Sequence, residues 1–249
     1  MSLSLSIFCP SMGDHEAAVT SWRDTMTKPW DITIDDARER DAAGYLTKCE
    51  AFYENNQSDI QGYLHSDLSI LQHGWDQRVL AEFDCHPSAQ DVPLPVPVGV
   101  VGLVGARRLG SPDLYRLPYD YRQLARADVL SNLSDAEAHG ARSAGAHDVA
   151  VIDSCAVFVR RDLLLRAGGW PVGTYPNNTH CTDLWLCLMA RRLGMRVRMV
   201  GVAASHRSGG KGEAGAQWLD ERGGDQAQHR RAHEVTYDMF RDVLPVEVL

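Results

Sequence analysis

Three places along the chain set carboxylate or imidazole groups at the end of an apolar, strand-like run. The run ending at Leu64 is followed at once by His65 and Asp67. Together these donor types can hold a divalent ion that bridges diphosphate oxygens. Thr182 and Asp183 open an amphipathic stretch, so Asp183 is either a helix cap or a carboxylate placed for proton transfer. His206 and Arg207 follow the last strand-like run and lead through Gly209 and Gly210 to Lys211, giving one imidazole, two cations and pliant backbone. Each place has a plain structural alternative. A carboxylate at a strand end is commonly a turn former, and a lone histidine is commonly a satisfied or exposed side chain. Their order points further, because ligands of an open parallel sheet bind beyond the carboxyl ends of its strands.

The elements that must position these residues can be read from periodicity. Leu3 to Pro10 reads as a first strand, with Ser11 to Asp14 as its turn, and Glu16 to Met26 as a helix. Trp30 to Ile34 reads as a second strand closed by Asp35 and Asp36, Tyr45 to Asn55 as a helix, and Asp59 to Leu64 as a third strand. That alternation predicts an α/β fold, a mostly parallel sheet with helices on both faces. Gly74 to Phe83 continues as a helix. Pro93, Pro95 and Pro97 then forbid regular structure ahead of an apolar strand from Val98 to Val104.

Residues 107–147 have weak periodicity and read as a variable insertion, with a helix over Ser134 to Arg142. Asp148 to Val159 supplies one or two strands, and Gly168 and Gly169 stop a helix running from Arg161 to Ala167. Asp183 to Leu193 is an amphipathic helix, and Arg196 to Val202 is a last strand. Residues 214–249 form a charged, mostly helical tail, broken near Gly223 and Gly224. No repeat or low-complexity linker divides the chain, so residues 1–249 are expected to form one domain.

Composition narrows the function classes. Hydrophobic residues make up 44% and charged residues 23% of the 249, the balance of a soluble globular protein able to bury a core. A net charge of -8 argues against gripping nucleic acid mainly through phosphate neutralisation, although Arg191, Arg192, Arg196 and Arg198 make a local basic patch. Six scattered cysteines without a CxxC pair, and a start that alternates like a strand, predict reduced thiols in a cytoplasm. No apolar run approaches the roughly 18–20 residues of a membrane span.

From Leu3 to about Gly210, with a gap across the middle insertion, the chain resembles the family-two glycosyltransferases of the GT-A fold. Leu5 to Pro10 is similar to the family's opening strand, and Asp59 to Leu71 to the segment bearing its DxD-type motif. Trp75 to Phe83 followed by Gly99 to Gly102 continues the pattern, and Arg160 to Leu163 with Gly168 to Trp170 resembles the acceptor-side strand and helix. Asp183 to Gly194 resembles the helix that starts with the catalytic carboxylate, and Ser205 to Gly210 resembles the closing loop.

The resemblance implies transfer of a sugar, with inversion, from a nucleotide sugar whose base is expected to be uridine, assisted by Mn2+ or Mg2+. Asp67 matches the last aspartate of the DxD motif and would bind the metal. His65 stands at the first acidic position, as a ligand or as a donor contact. His206 matches the histidine that completes the metal site, and Asp183 the general base. Asp35 or Asp36 would hold the nucleobase edge, since a carboxylate accepts well from an imide N–H. Pro10 and Ser11 would line the same pocket, and Arg207 or Lys211 would close over the phosphates. Two positions depart from the family: Trp185 stands where a second acidic residue often follows the base, and Thr182 where one often precedes it. Asp153 is the reserve carboxylate.

Two other readings stand beside this one. A nucleotidyltransferase would carry a glycine-rich, basic loop after the first strand, and Ser11 to His15 is neither. An inactive nucleotide-sugar-binding or scaffold protein is the reading that His65 and Trp185 favour. The acceptor is open between a glycan, a lipid-linked sugar, a protein side chain and a modified nucleobase. Residues 107–147 and the C-terminal helix should shape that side.

Overall fold

The computed structural model describes residues 3–11, 15–36, 44–84, 96–109, 128–134, 140–175, 181–206 and 225–248. β1 (Leu5–Ser11), α1 (Glu16–Thr25), β2 (Asp31–Asp36), α2 (Gly44–Asn55) and β3 (Ile60–Leu64) alternate as their periodicity predicts. β4 (Leu68–Ile70), α3 (Trp75–Phe83) and β5 (Val98–Gly102) follow. Then come six short strands: β6 (Val104–Ala106), β7 (Arg108–Leu109), β8 (Val129–Ser131), β9 (Ala141–Arg142), β10 (Ala146–Asp148) and β11 (Val151–Ile152). β12 (Ala156–Arg160), α4 (Arg161–Ala167), α5 (Thr182–Arg192), β13 (Arg196–Val200), β14 (Ala204–His206), α6 (Asp225–Met239) and β15 (Val246–Glu247) complete the order.

Seven strands form the central sheet in the order β10-β13-β5-β12-β3-β1-β2. β12 is antiparallel to both β3 and β5, so β2, β1, β3, β5 and β13 all point one way and only β12 and the edge strand β10 oppose them. The fold is therefore mixed α/β with a mostly parallel sheet. Side-chain alternation along β3 shows how it is covered. Tyr63 packs its ring on Phe52 of α2 and on Trp170, with centroids 5.7 and 4.9 Å apart. Gly62 points the other way, against Phe158 of β12, whose ring lies 5.8 Å from Trp75 of α3. Thus α2 and α3 cover opposite faces. α1 joins the α3 side, where Trp75 Nε1 donates to the Trp22 carbonyl at 3.3 Å.

Gly168 ends α4 at a φ of +85°, as a left-handed helix end requires. Gly169, at +95°, leaves room for the Glu50 carboxylate, which accepts the Trp170 N–H at 2.6 Å. Among the described residues no helix is long and apolar enough to cross a membrane.

Several sequence expectations are corrected. The apolar run from Val98 breaks at Leu103, because β6 leaves the central sheet for a second one, β11-β6-β8-β9. The helix expected over Ser134 to Arg142 gives way at its end to β9, where pairing with the buried strand β8 outweighs the helix propensity of an alanine-rich segment. Residues 135–139 lie outside the described ones. β7 to β10 likewise show that described residues within 107–147 take part in the sheets, and Asp35 and Asp36 belong to β2 rather than to its turn. The expected break near Gly223 and Gly224 lies outside the described residues.

Candidate active site at the carboxyl edge of the sheet

Beyond Leu64 the chain turns tightly. The His65 N–H donates to the Cys155 carbonyl at 3.0 Å, and the His65 carbonyl accepts from the Leu68 N–H at 3.1 Å. The turn feeds β4, which pairs antiparallel with β14 in the register His206↔Leu68. That register brings His206 beside Asp67, with Nε2 3.2 Å from Oδ1. The His65 and His206 rings lie 5.6 Å apart between centroids. One ligand atom from each of His65, Asp67 and His206 falls within 4.8 Å of the other two.

The electrostatics of the trio suit a cation. Burial, and then the neighbouring His206, push the His65 imidazole below its ordinary value, which favours the neutral ring that ligates metals. Burial alone would raise the Asp67 carboxyl, but the hydrogen bond from His206 and the two imidazoles outweigh it and hold Asp67 below the usual carboxylate range. Two imidazoles and one carboxylate are a donor set for a transition-metal ion rather than for Mg2+, which prefers oxygen ligands throughout.

Asp183 sits inside the first turn of α5, so it is not the helix cap. The flanking residue is Cys181, in the left-handed region at φ +58°, which non-glycine residues seldom adopt. A helix N-terminus favours a charged carboxylate, and the Leu184 N–H donates to Asp183 Oδ1 at 2.8 Å. Burial and then the adjacent Asp153 carboxylate win nonetheless, pushing the Asp183 carboxyl up to about 7. A base with such a value is matched to proton transfer near neutrality.

Asp153 lies just ahead of β12, whose first residue pairs with Leu64, so it reaches the same edge of the sheet. Its Oδ1 accepts the Cys155 N–H at 2.9 Å. It acts electrostatically on both His65 and Asp183, so it lies within reach of the imidazole cluster and of the Asp183 carboxylate. Trp185 is a core residue, stacked on Trp170 at 6.1 Å, with Trp170 in turn edge-on to Tyr63. The second carboxylate beside Asp183 thus comes from Asp153, from a distant part of the chain.

The ends of β1 and β2 form the neighbouring stretch of the edge, with Pro10 opposite Asp35 and Ser11 opposite Asp36. Burial, and then the nearby Asp67 carboxylate, push the Cys9 thiol up to about 12, so β1 adjoins the imidazole cluster. Ser11 Oγ lies 2.8 Å from His15 Nδ1, and the Lys48 ammonium of α2 pairs with Asp35 at 2.5 Å. Neither His15 nor Lys48 is singled out by the sequence, because each stands among other polar residues in no recognisable motif. Arg207 and Lys211 lie outside the described residues.

No protein-family model and no curated protein matches the chain. Solved structures do. The mannosyltransferase PcManGT from Pyrobaculum calidifontis, in complex with GDP-Man and Mn2+, is similar over 92% of this chain and 63% of its own, at 11% identity and a TM-score of 0.51. GalNAc-T7 with UDP, GalNAc and Mn2+ is similar over 82% of this chain and 44% of its own, at 10% identity and a TM-score of 0.51. The A197 protein from STIV is similar over 83% and 86%, at 14% identity and a TM-score of 0.45. The chain therefore spans less than two thirds of the length of the two transferases. What it shares with them is the architecture, the mostly parallel, helix-covered sheet of the GT-A glycosyltransferases.

Proposed function

We propose that the chain, as one domain, is a metal-dependent inverting glycosyltransferase. It takes a sugar from a nucleoside diphosphate sugar, with uridine as the expected base, to an acceptor hydroxyl. The observation that carries this reading is the His65, Asp67 and His206 cluster at the carboxyl end of β3, at the sheet edge shared with Asp153 and the near-neutral Asp183. The two similar transferase structures hold Mn2+ together with a nucleotide or nucleotide sugar, which supports the same pairing here.

Asp67 and His206, with His65 as third ligand, would hold the ion, which when bound neutralises the leaving diphosphate. Asp183 accepts the proton of the acceptor hydroxyl as that oxygen attacks the anomeric carbon from the face opposite the diphosphate, so the configuration inverts. Pro10, Ser11 and the Asp35 and Asp36 pair line the nucleobase end, with Lys48 setting the orientation of the Asp35 carboxylate. Arg207 or Lys211 would supply a cation for the phosphates. The buried thiols stay reduced in a cytoplasmic setting.

An inert nucleotide-sugar binder is the second reading, favoured by His65 at the first acidic position and by the burial of Trp185 in the core. Nucleotide release from UDP-, GDP- and dTDP-sugars, with and without Mn2+, separates the two. Slow, Mn2+-dependent release from one donor, lost in Asp67→Ala, is expected. Binding without release under any condition would leave the inert binder, and no binding at all would sink both.

A further inference from the structure

A buried hydroxyl of the C-terminal helix reaches the residues ahead of α5. Thr236 of α6 is fully buried. Its Oγ1 lies 2.8 Å from the Ala232 carbonyl oxygen and 3.1 Å from the Tyr175 hydroxyl, and it is hydrogen-bonded to the Cys181 thiol. A hydroxyl has one proton and two lone pairs. The single proton is shared between the Ala232 carbonyl and the Tyr175 hydroxyl, which both accept from Thr236, and the Cys181 thiol is the third partner of the oxygen. Removing the oxygen would take this partner from two buried polar groups, the Tyr175 hydroxyl and the Cys181 thiol.

The two residues it joins have a particular place. Tyr175 and Cys181 bracket residues 176–180, and Cys181 directly precedes Thr182 and Asp183. Both lie within electrostatic reach of the Asp183 carboxylate. Cys181 holds its left-handed φ of +58° without being glycine, a conformation that persists only where the surroundings hold it. From there the contacts run on into α5. The Cys181 carbonyl accepts the Trp185 N–H at 2.9 Å, and Trp185 stacks on Trp170.

We propose that Thr236 is a positioning residue for Asp183: α6 clamps Cys181 in its left-handed conformation and thereby aims the carboxylate at the acceptor. This rests on the reading of Asp183 as the base. The C-terminal helix then contributes to the catalytic apparatus through Thr236.

The test compares Thr236→Val, which keeps the shape and loses the hydroxyl, with Thr236→Ser, which keeps the hydroxyl. Turnover of the donor identified by the release screen and hydrogen exchange of the Trp185 amide are both measured. Thr236→Val should lower kcat by about 10–100-fold with donor KM nearly unchanged, as expected for a misaimed group. It should also speed Trp185 exchange, and Thr236→Ser should restore both. An unchanged kcat, or a loss carried by KM, or failure of serine to rescue, would overturn the proposal. Should Thr236→Val not fold, Tyr175→Phe and Cys181→Ala each remove one partner of the same oxygen. Either should lower kcat and speed exchange, and unchanged values in both would contradict the clamp. If the wild-type chain turns over no donor, the transferase reading fails, while Trp185 exchange still decides whether the clamp exists.

Discussion

His206 Nε2 lies 3.2 Å from Asp67 Oδ1 because β14 pairs with β4 and sets His206 opposite Leu68. The cluster therefore depends on a ladder of three residues a side. His206→Ala removes an imidazole ligand and the hydrogen bond that holds the Asp67 carboxyl low. Mn2+ affinity, measured by equilibrium dialysis or electron paramagnetic resonance, should fall by at least about 10–100-fold. His65→Ala should fall in the same range if all three residues ligate, with the circular dichroism unchanged.

The pH dependence follows from Asp183. In the proposed mechanism Asp183 must be ionised to take the acceptor proton, so kcat should rise with pH through a midpoint near 7. Asp153→Asn removes the like charge and should move that midpoint to lower pH. The sign for stability is the reverse. The folded value lies above the ordinary 3.8, so the folded chain holds an extra proton between the two. Its stabilising share is full below the unfolded value and is lost as pH rises through about 7. Asp183→Asn should therefore abolish turnover yet gain stability over wild type by up to roughly 4 kcal/mol at pH 8, but not at pH 3.5, in urea unfolding.

Asp76 carries the opposite dependence. It is fully buried in the first turn of α3 and accepts from the Thr27 N–H at 3.0 Å, the Thr27 hydroxyl at 2.6 Å and the Trp30 indole at 2.8 Å. Burial would raise its carboxyl, but these three donors prevail and hold it below the ordinary value. A depressed folded value means stability present above the unfolded value and lost as pH falls through the folded one. Asp76→Ala should cost about 3 kcal/mol at pH 7, and Asp76→Asn should weaken the acid sensitivity. Unfolding at pH 7 and pH 3 checks both.

Gly62→Ala tests the packing beneath the site. A Cβ there would meet Phe158 Cε1 at 2.9 Å, and Phe158 is backed by Trp75. Overpacking at such a position costs about 1–3 kcal/mol, so a lowered midpoint in urea is expected.

The long elements were legible because their periodicity is local. Leu5–Ser11, Ile60–Leu64 and Thr182–Arg192 carry enough buried positions to declare strand or helix within themselves. β4 and β14 were not, since three residues show no period and their pairing joins distant parts of the chain. The same holds for Asp153. As a residue it was a reserve carboxylate, and only the antiparallel insertion of β12 beside β3 carries it to the edge where Asp183 feels it. Trp185 stands at a position of the family pattern, and its ring is packed in the aromatic core beside Trp170, which the position alone does not reveal. The helix read over Ser134 to Arg142 failed at Ala141 because strand pairing overrode propensity.

The most direct test of the donor-site account is a calorimetric titration of the chain with the nucleotide sugars, with and without Mn2+, alongside Asp67→Ala. The account predicts that one donor binds much more tightly with Mn2+ and that Asp67→Ala abolishes the Mn2+ effect. Donor binding that ignores Mn2+ and survives Asp67→Ala would contradict it.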